Sequence, residues 1–186
     1  MKRSKLAVIA LAFALVPFAS SQAQGGAIPQ STDTRSAIRA EMLMHFNSSI
    51  SKVIALAEAM PADKYDWKPE KDAMAVGQVY GHIARYNYGY PETAMGVSTP
   101  AGLKLDTLEA MRDKAQLVPL LKQSAAHVRR TITEMPAAQL EANTQLYLRT
   151  VPQWAVLMQL VAHMNEHLGQ SIAYARSNGV VPPWSR

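Results

Sequence analysis

The sequence predicts an all-α protein built as a four-helix bundle. Apolar residues recur at intervals of three and four along four long segments, which is the spacing of one face of an α-helix. Proline or glycine follows each segment, and no segment shows sustained alternation of apolar and polar residues with β-branched side chains. Amphipathic helices of this kind bury their apolar faces only by packing against one another, so the four segments form one bundle.

The helix boundaries follow from local start and stop signals. The first three predicted helices span residues 34–60, 75–95 and 113–135. Pro61 ends the first helix and Pro136 ends the third, because proline cannot continue a helical hydrogen-bond pattern. The fourth helix starts after a Thr150 cap and ends at Gly179. Trp67, in the connection after the first helix, is predicted to close one end of the core.

The N-terminus has the pattern of a secretory signal peptide. Residues 1–5 (Met-Lys-Arg-Ser-Lys) form a basic segment, and an apolar run of only 13 residues follows from Leu6 to Phe18. An uncleaved membrane anchor is the alternative, but a spanning helix needs about 20 apolar residues. We therefore predict a signal peptide at 1–23, a flexible lead-in at 24–33 and a bundle domain at 34–186, in a secreted or periplasmic protein with no stable membrane insertion after cleavage.

Composition excludes several classes of site and partner. The chain has no cysteine, which excludes disulfides, thiolate metal ligands, a lipid anchor and a cysteine nucleophile. Any metal must therefore be bound by His, Asp or Glu. Three of the 19 basic residues lie in the signal peptide, so the mature chain carries 16 basic against 14 acidic residues. A net charge near +2 does not indicate a nucleic-acid partner.

Three histidines have the spacing and position of a metal site. His163 and His167 are four residues apart on the fourth helix, so their rings lie one turn apart on the same side. Both border the apolar stripe, where two buried imidazoles without partners would be costly. His82, at the inward edge of the second helix, is the natural third ligand. Three neutral imidazoles would leave an open coordination position on a zinc-like ion.

Other interpretations of the histidines remain open at this point. A histidine pair at this spacing is often a surface feature. The segment from His163 to His167 also matches an inverted zinc-protease signature with Glu166 as the base, but only 19 residues follow it, too few for the further ligand such enzymes need. Glu166 and His45 are the candidate catalytic acid–base groups, and His45 is equally a candidate fourth ligand or an exposed residue. His127 is predicted to lie on the surface.

The chain resembles the DinB/YfiT-like superfamily of metal-binding four-helix bundles. The resemblance rests on residues 67–69 (Trp-Lys-Pro), 76–83 (Val-Gly-Gln-Val-Tyr-Gly-His-Ile) and 163–170 (His-Met-Asn-Glu-His-Leu-Gly-Gln). It implies an up-down-down-up helix order, homodimers, a zinc or nickel ion, and His82, His163 and His167 as its ligands. Known activities in the superfamily include transfer of low-molecular-weight thiols and a thiol-dependent isomerisation, whose thiol cofactors are cytoplasmic.

Two functions from different classes follow. The first is a metal-dependent enzyme, of hydrolase or thiol-transferase type, in which the ion activates a water or thiol for attack on a small-molecule substrate. Glu166 or His45 would then transfer the proton. The alternative is a non-catalytic binding or interaction bundle with a structural metal or none. A site closed by His45 would favour the alternative, because structural zinc is fully coordinated by protein.

Overall fold

A computed structural model describes residues 32–185 of the chain, and the predicted all-α fold is confirmed. The helices are α1 (Thr32–Ala59), α2 (Val76–Met95), α3 (Lys114–Glu134), the short α4 (Ala137–Glu141) and α5 (Gln153–Ser177). The predicted signal peptide, residues 1–23, lies outside the described residues. Within residues 32–185, no helix combines the length and the apolar character that crossing a bilayer requires.

Helices α1 and α3 are antiparallel. Arg39, near the start of α1, donates hydrogen bonds to the carbonyl oxygens of Ile132 (2.6 Å) and Met135 (2.6 Å) at the end of α3. At the other end, Lys114 at the start of α3 donates to the carbonyl oxygen of Met60, just beyond α1. These charged side chains cap the carbonyls that each helix leaves without a partner at its C-terminus.

The remaining helix pairs complete the up-down-down-up order. Gly77 at the start of α2 lies beside Met111, just before α3, and further along the two helices Asn87 donates to Ser124; α2 and α3 are therefore parallel. Trp67, before α2, packs edge-on against Tyr174, near the end of α5, with ring centroids 5.4 Å apart. Helix α5 thus runs antiparallel to α2, and Trp67 closes one end of the core as predicted.

The core lies where the four long helices meet. Phe46 and Ile50 of α1, Leu121 of α3 and Val156 of α5 are fully buried there. Helix α3 and the residue after it bury an apolar stripe at helical spacing: Leu117, Leu121, Val128, Ile132 and Met135. Burying one such side chain contributes roughly 1.5–3 kcal/mol, and this continuous core fixes the helix faces that carry the histidines.

A two-stranded antiparallel hairpin precedes α5 and was not predicted. Its strands are β1 (Asn143–Leu146) and β2 (Arg149–Pro152), joined by Tyr147 and Leu148. Each strand has only four residues, too few for alternation to stand out, and the loop lacks the Asn-Gly or Asp-Gly pair that usually marks a two-residue hairpin. Tyr147 instead has a φ of 49°, in the left-handed region that non-glycine residues rarely adopt.

The prediction that His127 lies on the surface is wrong. Its side chain is buried between α3 and α2, with its ring centroid 5.0 Å from that of Tyr88. Ser124 and Thr131, one turn before and one turn after it, are also buried. The inward face of α3 therefore includes a polar strip beside its apolar stripe, and His127 belongs to that strip.

Candidate metal centre

The structure brings His82, His163 and His167 together between α2 and α5. The Nε2 atom of His163 lies 3.0 Å from Nε2 of His82 and 3.2 Å from Nε2 of His167. One ligand nitrogen from each ring lies within 4.8 Å of the other two. The three ligand positions predicted from the sequence therefore form a single group that could hold a metal ion.

Helix geometry explains this convergence. His163 and His167 project from the same side of α5, one turn apart, and the buried Met164 between them fixes that side against the core. His82 projects from α2 next to the fully buried Ile83. Because α2 and α5 are antiparallel neighbours, the packing that buries Met164 and Ile83 also brings the three imidazoles to one place. Each ring is only half-buried, so the group faces both the core and solvent.

A second layer of polar groups surrounds two of the imidazoles. The Nδ1 atom of His82 lies 2.9 Å from Oε1 of Glu109, and Nδ1 of His167 lies 2.8 Å from Oε1 of Gln170. Gln170 in turn donates through Nε2 to the hydroxyl of Tyr174 at 2.9 Å, which sets the orientation of its amide. Both imidazoles therefore donate from Nδ1 and keep a lone pair on Nε2.

This arrangement fits a cation. The Nε2 lone pairs of His82 and His167 both face Nε2 of His163, which carries at most one proton and so cannot satisfy both with good geometry. A divalent ion shared by the three nitrogens would satisfy all of them. Histidine ligands that donate their second ring nitrogen to a carboxylate or amide oxygen are the usual outer arrangement of protein zinc sites.

The surroundings of His82 and His163 favour their neutral forms. Burial, reinforced by the neighbouring rings of His167 and His82, lowers the pKa of His163 to about 4. Burial also lowers the pKa of His82, although the hydrogen bond to Glu109 opposes it. Burial alone would raise the pKa of Glu109, but hydrogen bonds from Arg85 and His82 bring it below its ordinary value. His82 and His163 are thus neutral imidazoles, with the ionised carboxylate of Glu109 behind His82, which is the protonation state that metal binding requires.

Glu109 reaches His82 because a loop approaches α2 closely. It lies on a 3₁₀ helix, Leu105–Ala110, which is anchored by the buried Leu108. That turn packs against α2 at Gly81, where a Cβ atom would overlap the carbonyl oxygen of Leu108. Arg85, one turn after Gly81, donates to Glu109 Oε1 at 2.6 Å. A glycine adjacent to the first ligand therefore allows the backbone contact that positions the carboxylate.

Glu109 was not identified from the sequence. It is 27 residues from His82 and lies in a loop, so no helical spacing connects the two. The available signal was indirect: Gly77 and Gly81 lie one turn apart on α2, which is a spacing that permits close approach of another backbone.

Substitution of Glu109 tests its role as a partner of the ligand. We expect Glu109→Gln to weaken metal affinity by about 10- to 100-fold, the range typical for outer partners of metal-bound histidine. The amide keeps the shape and can still accept from Nδ1 of His82, but it removes the negative charge that strengthens this imidazole as a metal ligand. Isothermal titration with Zn²⁺ measures the change. Glu92→Gln, at an exposed site on the same helix as His82, is the matched control and should bind like the wild type.

The two candidate catalytic residues lie outside this group. His45 projects from α1 with 65% of its side chain exposed, and its Nε2 atom is 3.8 Å from Glu41 Oε2. It borders the groove between α1 and α5, whereas His163 and His167 face α2. Glu166 is exposed on α5. The structure brings neither residue to the three imidazoles, and their catalytic roles stay predictions.

Aromatic rings cover the side of the group that faces the end of α2. The ring centroid of Tyr86 is 4.7 Å from that of His82 and 4.5 Å from that of His163. Tyr90, one turn later, is 5.9 Å from His163, and its hydroxyl is 2.6 Å from the hydroxyl of Tyr147. These phenols connect the histidines to the β-hairpin.

Fold and site together define a helical-bundle protein with a three-histidine group able to hold a metal ion. A sequence model of the DinB family matches residues 29–186. The chain therefore belongs to the DinB family, as the resemblance indicated. No curated protein is significantly similar to it.

Solved structures show the same fold. A DinB-like protein from Bacillus cereus ATCC 10987 aligns with a TM-score of 0.66 and 17% sequence identity, over 76% of this chain and 93% of that protein. A DinB-like protein from Bacillus subtilis aligns with a TM-score of 0.62 and 20% identity, over the same shares of the two chains. At such identities the likeness shows the fold alone, so the function is argued from the site.

Proposed function

We propose that this DinB-family protein is exported and binds one divalent metal ion, zinc or nickel, through His82, His163 and His167. The proposed activity is that of a metal-dependent enzyme acting on a small substrate. The observation that carries the proposal is the convergence of three Nε2 atoms while Nδ1 of His82 and of His167 is held by another side chain. The proposed export rests on the signal-peptide pattern of residues 1–23.

The ion would supply Lewis acidity, lowering the pKa of a bound water or thiol toward neutrality. The residues of this chain hold and orient the ligands: Glu109 and Gln170 fix the Nδ1 protons of His82 and His167, so their Nε2 lone pairs point to one place. Tyr86 packs against two of the imidazole rings and restricts their movement. Positioning by rigid helices is what a catalytic constellation needs.

The ligand count supports a catalytic ion rather than a structural one. Structural zinc takes four protein ligands, whereas catalytic zinc takes three and leaves a position for water or substrate. Of the described residues, the group includes three, and His45, the candidate fourth ligand, lies on the other side of α5. Glu166 and His45 are the candidate bases that the sequence offers.

A non-catalytic interaction role is the second candidate, and one surface favours it. The groove between α1 and α5 has a volume of about 530 Å³ and is lined mostly by apolar side chains. Ile38 of α1 is 42% exposed there, and Met158 of α5 is 56% exposed. Clustered exposure of large apolar residues marks interaction surfaces. The homodimer that the resemblance implies could use this groove.

Metal analysis and spectroscopy separate the two candidates. We expect freshly isolated protein to contain close to one equivalent of metal, and the Co²⁺-substituted protein to change its visible spectrum when a small thiol such as 2-mercaptoethanol is added. The change would show an open coordination position. A metal content below about a tenth of an equivalent would contradict metal binding itself. One bound equivalent with a thiol-insensitive spectrum would instead favour the structural metal of the second candidate.

A further inference from the structure

We propose that the cavity between α2 and the β-hairpin receives an aromatic or similarly flat, apolar part of the substrate, while the reacting polar group faces the three imidazoles. This inference rests on the proposed function and names the substrate class. The cavity has a volume of about 330 Å³, and its lining includes Arg85, Tyr86, Gly89, Tyr90, Leu105 and Tyr147. That volume lies at the lower end of the range for small-molecule pockets and suits a single-ring molecule.

The cavity adjoins the histidine group. Tyr86 lines the cavity and its ring also contacts the rings of His82 and His163. Tyr90, which likewise lines the cavity, packs edge-on against His163. Tyr86 and Tyr90 therefore form a wall shared by the cavity and the histidine group, and a polar substituent that passes the edge of the Tyr86 ring would face the imidazoles.

The hairpin holds Tyr147 at the cavity in a strained conformation. Its φ of 49° lies in the left-handed region, which is unfavourable for a residue with a Cβ atom. The side chain is 62% exposed, so burial does not offset this strain. Its hydroxyl nevertheless forms a hydrogen bond of 2.6 Å with the hydroxyl of Tyr90, which also lines the cavity. Strain of this kind at an exposed aromatic residue points to a role in binding.

The chemistry of the lining selects an apolar ligand. The lining includes three phenol rings, Leu105 and Leu146, and Gly89 leaves room on α2, where the nearest atom to an added Cβ would be Leu105 Cδ1 at 3.9 Å. Of the described residues that line the cavity, only Arg85 is charged, and Glu109 already neutralises it. Flat apolar groups pack favourably against aromatic rings of this kind.

A pair of metal-binding probes tests the inference. Acetohydroxamate and benzohydroxamate carry the same chelating group, and only the second has an aromatic ring. We expect the Zn²⁺-loaded protein to bind benzohydroxamate at least about tenfold more tightly than acetohydroxamate, because the ring is buried in the cavity. Competition titrations on full-length protein of known metal content measure both affinities.

Two hairpin variants locate the preference. Tyr147→Gly removes a cavity ring and relieves the positive φ, so it should fold normally, keep its metal and lose most of the tenfold preference. Leu148→Gly changes the adjacent, fully exposed residue, which does not line the cavity, and should leave the preference unchanged. An equal effect of both variants, or none from Tyr147→Gly, would overturn the inference.

The outcomes distinguish this inference from the proposed function. Equal affinity for the two hydroxamates would refute the cavity as the substrate site, while leaving the open metal position intact. Failure of both probes to bind metal-loaded protein would refute the open position, and with it the proposed enzyme function. Tighter binding of the aromatic probe, lost in Tyr147→Gly alone, would support both.

Discussion

His163→Ala is expected to abolish metal binding. His163 is the central ligand, with its Nε2 within 3.2 Å of Nε2 in both other rings. Two remaining imidazoles on different helices would chelate poorly, so metal content should fall from about one equivalent to less than about a tenth. The wild type should also gain about 2.7 kcal/mol of unfolding free energy at a free-metal concentration 100 times Kd, and the variant should gain none. Elemental analysis and urea unfolding with and without Zn²⁺ measure both effects.

His45→Ala is the matched control for this experiment. It removes the same side chain from an exposed site on α1, so both the metal content and the stabilisation by Zn²⁺ should stay at the wild-type values. Retention of one equivalent by His163→Ala would show that the metal is bound elsewhere. Loss of metal in His45→Ala would instead restore His45 as a ligand.

Gly81→Ala is expected to destabilise the fold by about 3 kcal/mol, at the upper end of the usual cost of overpacking. The added Cβ would overlap the carbonyl oxygen of Leu108 and lie 2.9 Å from its carbonyl carbon, and both atoms belong to backbone that cannot rotate away. The 3₁₀ helix must then move from α2, which exposes Leu108 and withdraws Glu109 from His82. Urea unfolding of metal-free protein measures the stability, and Zn²⁺ titration measures the secondary loss of affinity.

Gly89→Ala provides the comparison on the same helix. Its Cβ would meet only Leu105 Cδ1 at 3.9 Å, an ordinary contact. Alanine is a better helix former than glycine by about 1 kcal/mol, so this variant should be unchanged or slightly more stable. Similar stability of the two variants would mean that the approach at Gly81 is not tight, and that another contact positions Glu109.

The apolar periodicity of the sequence predicts the bundle because the helices are long and each has one apolar face. Prolines at 61 and 136 fixed two helix ends, since their effect is local and steric. The chain direction of each helix could be obtained only from the family resemblance. Periodicity does not specify which helices become neighbours, so the contacts of Arg39 and Lys114 with opposite ends of their partner helices had to come from the structure.

The metal ligands were predictable for a different reason. His163 and His167 share a helix, so their spacing alone places both rings on one side. His82 was inferred from its position at the edge of the apolar face of α2 and from the resemblance. Glu109 belongs to a loop whose path depends on tertiary packing at Gly81, and no local pattern connects it with His82.

His127 shows that the inward face of α3 is wider than its apolar residues. The spacing of apolar residues assigns only those residues to the inward face, so it places the histidine beside them in solvent. The inward face also includes the buried Ser124 and Thr131, and Ser124 accepts a hydrogen bond from Asn87 of α2. Residues 124, 127 and 131 have helical spacing, so the sequence contains the pattern of this strip. A search for apolar periodicity does not detect it, because its residues are polar.

The position of the imidazoles on α2 and α5 also has a consequence for the cohesion of the chain. An ion bound by His82 and His163 would cross-link two points 81 residues apart in a protein without cysteine. In chain-entropy terms, a permanent link that closes a loop of that length raises the free energy of the unfolded state by about 4.5 kcal/mol. A bound metal ion is released on unfolding, unlike a disulfide. Its contribution to the stability of the folded state therefore depends on the metal concentration and is lost when a chelator is added.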